Sequence, residues 1–199
     1  MIIETILSTL DSDGKTHFAP VGVIFPDDME HLGKAEILSF KLYAGSRTYE
    51  NLRARGEGVV NLTGNVLYFA DAALRKICET YPSNKVKPHR LADAGVFWEF
   101  SVSLFDAGRN PALVTAKVLT YEQRLGFFTG FCRAQGAVLE AAVAASRRDF
   151  LPRREIETPW PVWREIVEKT GSAREKQAFQ ILSKKLTGEG FSLTREDLM

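Results

Sequence analysis

The spacing of apolar residues changes about two thirds of the way along the chain. Up to Tyr121 they alternate with polar residues or form short β-branched runs between clusters of Gly, Asn, Asp and Pro, a pattern typical of strands. Beyond Tyr121 they recur every three or four positions, which predicts helices. The sequence therefore predicts a mixed β-barrel over residues 1–121, followed by a C-terminal α-helical subdomain over residues 122–190.

Turn residues and helix-cap residues set the predicted ends of the individual strands and helices. The predicted strands are 4–10, 16–25, 35–43, 58–62, 96–104 and 112–121. The predicted helices are 46–55, 66–81, 135–150, 159–169 and 173–186. Pro20 has no amide hydrogen, so it belongs at a sheet edge or a bulge, where neighbouring backbone groups stay free for a ligand.

Charge balance excludes several classes of partner. Lys plus Arg number 26 and Asp plus Glu number 25, so no overall field attracts the chain to nucleic acid or to an anionic membrane. The basic stretch 85–90 lacks interleaved aromatic residues and is interpreted as a solvated loop. The chain start resembles no signal peptide and no stretch is long enough to span a membrane, so we expect a cytoplasmic protein. Cys78 and Cys132 lack C-x-x-C spacing and are expected to be reduced packing residues.

The segment Gly45-Ser46-Arg47-Thr48 combines the parts of an anion site. A strand, a glycine and a hydroxyl-bearing helix start leave amides free at the positive end of a helix dipole. Ser46 and Thr48 add hydroxyl donors, and Arg47 adds a planar charged donor suited to phosphate. The alternative is that Ser46 only caps the helix and Arg47 is solvated. No glutamate stands three residues after Ser46, so the reciprocal capping carboxylate is missing and both interpretations stay open.

Several short motifs together resemble a known family. The run 46–52, Ser-Arg-Thr-Tyr-Glu-Asn-Leu, followed by Gly-Val-Val-Asn-Leu at 58–62, resembles the phosphate segment and next strand of flavin-reductase-like proteins. Together with Ala-Pro-Val-Gly-Val at 19–23 and Phe-Cys-Arg-Ala at 131–134, it resembles the DUF447 family to about residue 187. That resemblance implies an FMN-binding split barrel with a C-terminal helical part.

The resemblance also implies a set of cofactor residues. They are Ser46, Arg47, Thr48, Asn51, Ala19, Pro20, Val21, Gly22 and Asn61. Residues 46–48 would hold the phosphate of FMN with Asn51 nearby, 19–23 would run beside the isoalloxazine, and Asn61 would border the same pocket. The sequence departs from the family where Thr63-Gly64-Asn65 replaces an acidic turn and where Cys132 replaces an asparagine.

The function implied by the resemblance is a flavin-dependent oxidoreductase acting on a small molecule, with nicotinamide as one possible electron donor. Two alternatives stay open: a non-catalytic flavin-binding module, and a role in pterin-linked one-carbon metabolism. No catalytic residue is identified, and His17, His31 and His89 show no metal spacing. Glu140 is either a buried functional acid or, in the interpretation we favour, a face partner of Arg133 or Arg147. Members of the class pair as homodimers, and the helix 137–145 could help to bury such an interface or the end of the barrel.

Overall fold

The computed structural model describes residues 1–25, 35–73, 79–123 and 130–194. The predicted loop 26–28, His31 and Cys78 lie outside the described residues. The chain divides into two compact units. Residues 3–131 form one, and the chain from Cys132 onward with Met1–Ile2 forms the other.

The first unit is a closed barrel of six strands with two helices and a small two-stranded sheet. Its strands are β1 (Ile2–Leu10), β2 (Thr16–Ile24), β3 (Ile37–Leu42), β4 (Glu57–Leu62), β5 (Thr80–Tyr81), β6 (Arg90–Leu91), β7 (Val96–Asp106) and β8 (Ala112–Gln123). The barrel order is β1-β2-β3-β8-β7-β4, and β5 pairs with β6 outside it. Its helices are α1 (Arg47–Arg55) and α2 (Val66–Ala73). The six predicted strands thus form one barrel.

The pairing register of the strands shows which side chains fill the barrel. Leu7 lies opposite Val60, and Val60 lies opposite Trp98, so these three share one side of the sheet. All three are fully buried. Gly58 lies opposite Phe100, where an added Cβ would stand 2.6 Å from the Phe100 ring and 2.8 Å from the Ser8 carbonyl. The Phe100 ring therefore requires glycine at position 58.

The segment after β4 differs from the sequence prediction. The predicted helix 66–81 was wrong at its C-terminal end, because Thr80 and Tyr81 form β5 and pair with Leu91 and Arg90. Thr and Tyr favour extended backbone. Leu91 is fully buried and its amide is held by Asn61 of β4, which fixes this extended pair beside the barrel.

The second unit consists of helices. They are α3 (Arg133–Ser146), α4 (Arg153–Glu157), α5 (Trp160–Thr170) and α6 (Ala173–Gly188). Trp160 is fully buried, packs on Phe179 and donates its indole hydrogen to the Ser183 hydroxyl at 3.1 Å. The short helix α4 was not predicted, because five residues are too few to display a helical repeat. Among the helices of the described residues, none has the length and apolar character needed to cross a membrane.

Candidate functional site

The N-terminus of α1 follows β3 after a tight turn. Gly45 has φ +80°, a left-handed conformation that strains other residues, and nothing lies within 4 Å of an added Cβ. The Ser46 amide donates to the Tyr43 carbonyl at 3.1 Å, which closes the turn. The Ser46 hydroxyl accepts the Tyr49 amide at 3.3 Å, so Ser46 is the N-cap of α1. Gly56, with φ +65°, ends the helix as predicted.

The first turn of α1 keeps unused donors. Within the described chain, the amides of Arg47 and Thr48 donate to no acceptor, because the Ser46 hydroxyl takes only the Tyr49 amide. Arg47 is exposed, and its guanidinium makes no ion pair with any described residue. The Thr48 side chain is buried, with 4% of its surface exposed. Two amides and one cation thus meet at the positive end of the helix dipole.

Strand β2 has an unpaired edge near this helix. Its pairing with β3 is confined to Val23 opposite Phe40 and Ile24 opposite Ser39, whereas β3 continues to Leu42 and α1 contacts β2. The stretch Thr16–Gly22 therefore has no β3 partner among the described residues, as the proline at position 20 anticipated. Pro20 is exposed and Ala19 and Gly22 are half-buried. The Val21 carbonyl accepts the Thr5 hydroxyl at 2.7 Å, which holds this edge on β1.

Asn51 fixes α1 to the barrel. It is buried, with 7% exposed, and donates its side-chain amide to the Thr9 hydroxyl of β1 at 2.9 Å. Tyr49 anchors the same helix, since its ring packs edge to face on Phe105 of β7 at 5.0 Å. These two contacts orient the free first turn of α1.

A cleft of about 560 Å³ lies between the outer face of α1 and the turn of the first hairpin. It is lined by Leu10, Asp11, Ser12, Asp13, Arg47, Glu50, Asn51, Ala54 and Arg55. Three of these residues are acidic and two are basic, so the cleft as a whole does not favour an anion. The groups suited to an anion are those of the first helical turn.

Asn61 has its side chain engaged within the protein. It is fully buried, and its amide nitrogen donates to the Ile6 carbonyl at 2.9 Å, the Ser8 hydroxyl at 2.7 Å and the Val59 carbonyl at 3.3 Å. Its oxygen accepts the Leu91 amide at 2.8 Å. That Asn61 borders the flavin pocket stays a prediction. The hydrogen bonds of its side chain join β4 to β1 and to Leu91 of β6.

Sequence reasoning missed the buried carboxylate of Glu99. It is fully buried in β7 and accepts the amides of Asn84 at 2.7 Å and Lys85 at 2.5 Å. Glu57 accepts the Lys87 amide at 3.2 Å, so two carboxylates hold the basic loop by its backbone. The sequence feature that could have revealed it is the single acidic residue inside the apolar run Val-Phe-Trp-Glu-Phe at 96–100.

Two family models match the chain. Residues 3–124 match "Protein of unknown function (DUF447) N-terminal domain", and residues 132–184 match "Protein of unknown function (DUF447)". Together they cover nearly the whole chain. The family resemblance predicted from the sequence motifs is confirmed.

Solved structures share the fold. The FMN-bound DUF447 protein MM1853 from Methanosarcina mazei is 20% identical with a TM-score of 0.52, covering 92% of this chain and 94% of that one. A putative flavin reductase with a split barrel domain from Shewanella frigidimarina is 14% identical with a TM-score of 0.51, covering 65% and 72%. The 2-nitrobenzoate 2-nitroreductase NbaA from Pseudomonas fluorescens is 17% identical with a TM-score of 0.50, covering 62% and 65%. The predicted split barrel with C-terminal helices is confirmed.

Proposed function

The chain belongs to the DUF447 family, and we propose that it is an FMN-binding flavoprotein that exchanges electrons with a small molecule. The observation that carries the proposal is the first turn of α1, where two free amides and Arg47 lie at the positive end of the helix dipole. A phosphate dianion is the group that such donors favour most. The FMN-bound family member from Methanosarcina mazei supports the choice of FMN among phosphate compounds.

The phosphate would contact three consecutive residues. The amides of Arg47 and Thr48 would donate to its oxygens, and the exposed guanidinium of Arg47 would add a charge-assisted bond. The Ser46 hydroxyl already accepts the Tyr49 amide, and its own hydrogen can donate to the phosphate. Asn51 would act indirectly, because its bond to Thr9 holds the helix in place.

The isoalloxazine would lie along the unpaired edge of β2. Backbone groups between Ala19 and Gly22 that lack a β3 partner can bond the polar edge of the ring, and the small side chains there permit close approach. The bond from Thr5 to the Val21 carbonyl keeps this edge rigid. FMN supplies the redox chemistry when bound, and the protein binds it, orients it and limits access to it.

The proposal includes a homodimer. A single chain supports a flavin along only one strand edge, and pairing two copies would enclose the other side of the ring. Electrons would pass from a nicotinamide or another donor to a small acceptor. A module that holds FMN without turnover is the alternative outcome of the experiment below.

The test is titration of the purified, FMN-loaded protein with NADH and NADPH under anaerobic conditions. Loss of the flavin absorbance at catalytic rates supports an oxidoreductase with a nicotinamide donor. If FMN binds but neither nicotinamide reduces it, and dithionite does, the nicotinamide part of the proposal fails. If FMN does not bind at all, the whole proposal fails.

A further inference from the structure

The loop between β5 and β6, residues 82–89, has a fixed backbone. The carboxylates of Glu99 and Glu57 accept three of its amides, and the Ser83 hydroxyl donates to a carbonyl five residues later at 2.5 Å. Val86 is buried against the outer face of the barrel. Because both oxygens of the fully buried Glu99 carboxylate bond this backbone, the loop is an integral part of the barrel surface.

The charged side chains of this loop face solvent. Val86 and Pro88 are buried, whereas Lys85, Lys87 and His89 are exposed. Within the described chain neither lysine makes an ion pair, and the two carboxylates at this loop accept backbone amides instead. The two lysines are two residues apart, so their Cα atoms stand within about 7 Å of each other. Two ammonium groups held this close on a fixed backbone favour an anion that carries more than one negative charge.

An exposed aromatic ring stands at the base of the same loop. Tyr81, which comes just before the loop, pairs with Arg90, which comes just after it, and 50% of the Tyr81 surface is exposed. The Arg90 guanidinium lies over the Tyr81 ring at 5.4 Å and over the Phe97 ring at 4.7 Å, and Val86 belongs to the same buried cluster as Phe97. Tyr81 and the loop therefore lie around one buried ring. The basic stretch 85–90 has no aromatic residue of its own, and the fold supplies one beside it. An exposed aromatic ring near two ammonium groups is suited to a nucleotide, because the ring stacks on the base and the cations pair with phosphate.

The loop also contacts the strand along which the flavin ring is proposed to lie. The His89 amide donates to the hydroxyl of Thr16, the first residue of β2, at 3.0 Å. Three residues of extended strand, about 10 Å, separate Thr16 from Ala19, where the proposed edge of the flavin site begins. A dinucleotide that is held at the loop by one of its two nucleotides has the length to place the other at this edge.

We propose that Lys85, Lys87 and Tyr81 bind the adenosine half of a nicotinamide dinucleotide that carries a 2′-phosphate, so that the protein prefers NADPH to NADH. The part of the Tyr81 ring that Arg90 leaves open stacks on the adenine, and the two lysines pair with the 2′-phosphate, a group that NADH lacks. The choice of a nicotinamide rests on the proposed function, but the site shares no residue with the proposed flavin site.

The experiment is isothermal titration of the full chain, with and without FMN, using two probes that carry no nicotinamide. The first is 2′,5′-ADP, and the second is 5′-AMP, which lacks the 2′-phosphate. We expect 2′,5′-ADP to bind at least about tenfold more tightly than 5′-AMP in both conditions, and its affinity to fall as salt is added. Lys85→Ala and Lys87→Ala should each weaken 2′,5′-ADP roughly fivefold and leave 5′-AMP within about twofold. Lys184→Ala, at an exposed lysine of α6 that makes no ion pair with any described residue, should change neither affinity.

A second pair of variants tests the stacking. Tyr81→Ala should weaken both probes roughly tenfold, whereas Tyr81→Phe, which keeps the ring, should leave both within about twofold. Circular dichroism checks that each variant keeps its fold.

The outcomes separate this site from the flavin site. If 2′,5′-ADP does not bind, or binds no more tightly than 5′-AMP, the proposal is overturned. Lysine variants that bind 2′,5′-ADP as well as the wild-type chain does, or a Tyr81→Ala variant that binds both probes normally, would overturn it equally. FMN titration of the same samples tests the flavin proposal by itself, so failure to bind FMN together with normal binding of 2′,5′-ADP would refute the proposed function and leave this site standing.

Discussion

Replacing Asn61 with leucine tests the polar cross-link between β1, β4 and β6. Leucine has the same number of side-chain heavy atoms and the same branching as asparagine, so the change removes hydrogen bonds and leaves no cavity, and its bulkier methyl groups can only add to the destabilisation. The Leu91 amide would lose its acceptor at 2.8 Å, and the hydroxyl of Ser8 would lose its donor at 2.7 Å. Leu91 and Ser8 are both fully buried, so water cannot replace what is lost.

The magnitude follows from these groups. A buried donor left without an acceptor costs about 1–3 kcal/mol, and an ordinary hydrogen bond contributes about 1 kcal/mol. With the Leu91 amide unsatisfied and the bonds to the Ile6 carbonyl and Ser8 lost, we expect a destabilisation of roughly 3 kcal/mol. The expected loss is the same with and without FMN, because all of these bonds are internal to the protein.

Urea unfolding followed by circular dichroism measures the loss, and hydrogen exchange at the Leu91 amide shows where it arises. Asn84→Leu is a matched control, since Asn84 is exposed and, among the described residues, only its backbone amide makes a hydrogen bond. We expect that control to change stability by less than about 0.5 kcal/mol. A loss below about 1 kcal/mol for Asn61→Leu, or one confined to the FMN-loaded protein, would refute this reasoning.

Three further predictions concern α1 and the loop before β6. Ser46→Ala should lower the free energy of unfolding by roughly 1 kcal/mol in the absence of flavin and by more in saturating FMN, measured by thermal unfolding. Equal losses in the two conditions would mean that Ser46 is only a helix cap. Gly45→Ala should destabilise by about 1–2 kcal/mol through its left-handed backbone, whereas Gly188→Ala in α6 should not; a neutral Gly45→Ala would show that the turn relaxes freely. Glu99→Gln should speed hydrogen exchange at the Asn84 and Lys85 amides, because the side-chain NH2 of glutamine would replace one of the two oxygens that accept these amides. Unchanged exchange would mean that other contacts hold the loop.

Local sequence signals were sufficient for the barrel and for α1. The six strands were predicted because alternation and turn residues are local, and Gly45, Ser46 and Gly56 bounded α1 through their own backbone and capping preferences. The exposed Pro20 marked the part of β2 that has no β3 partner among the described residues for the same reason, since proline lacks the hydrogen that a partner strand would need.

Contacts between residues far apart in the chain could not be predicted from these local signals. Thr80 and Tyr81 are extended because Asn61, thirty residues from Leu91 in the chain, holds the Leu91 amide, and no local pattern encodes that bond. Glu99 looked like an isolated acid because its partners are backbone amides, which every residue type carries.

The central claim is that the first turn of α1 binds the phosphate of FMN, and Arg47→Ala tests it most directly. Isothermal titration with FMN and with riboflavin, which lacks the phosphate, separates phosphate recognition from ring binding. Because a charge-assisted bond contributes about 1.5–3 kcal/mol, Arg47→Ala should weaken FMN roughly 10- to 100-fold and leave riboflavin within about twofold. Arg53→Ala, an exposed arginine in the last turn of the same helix, should leave both affinities unchanged. Equal losses of FMN and riboflavin affinity in Arg47→Ala, or no loss of either, would contradict the claim.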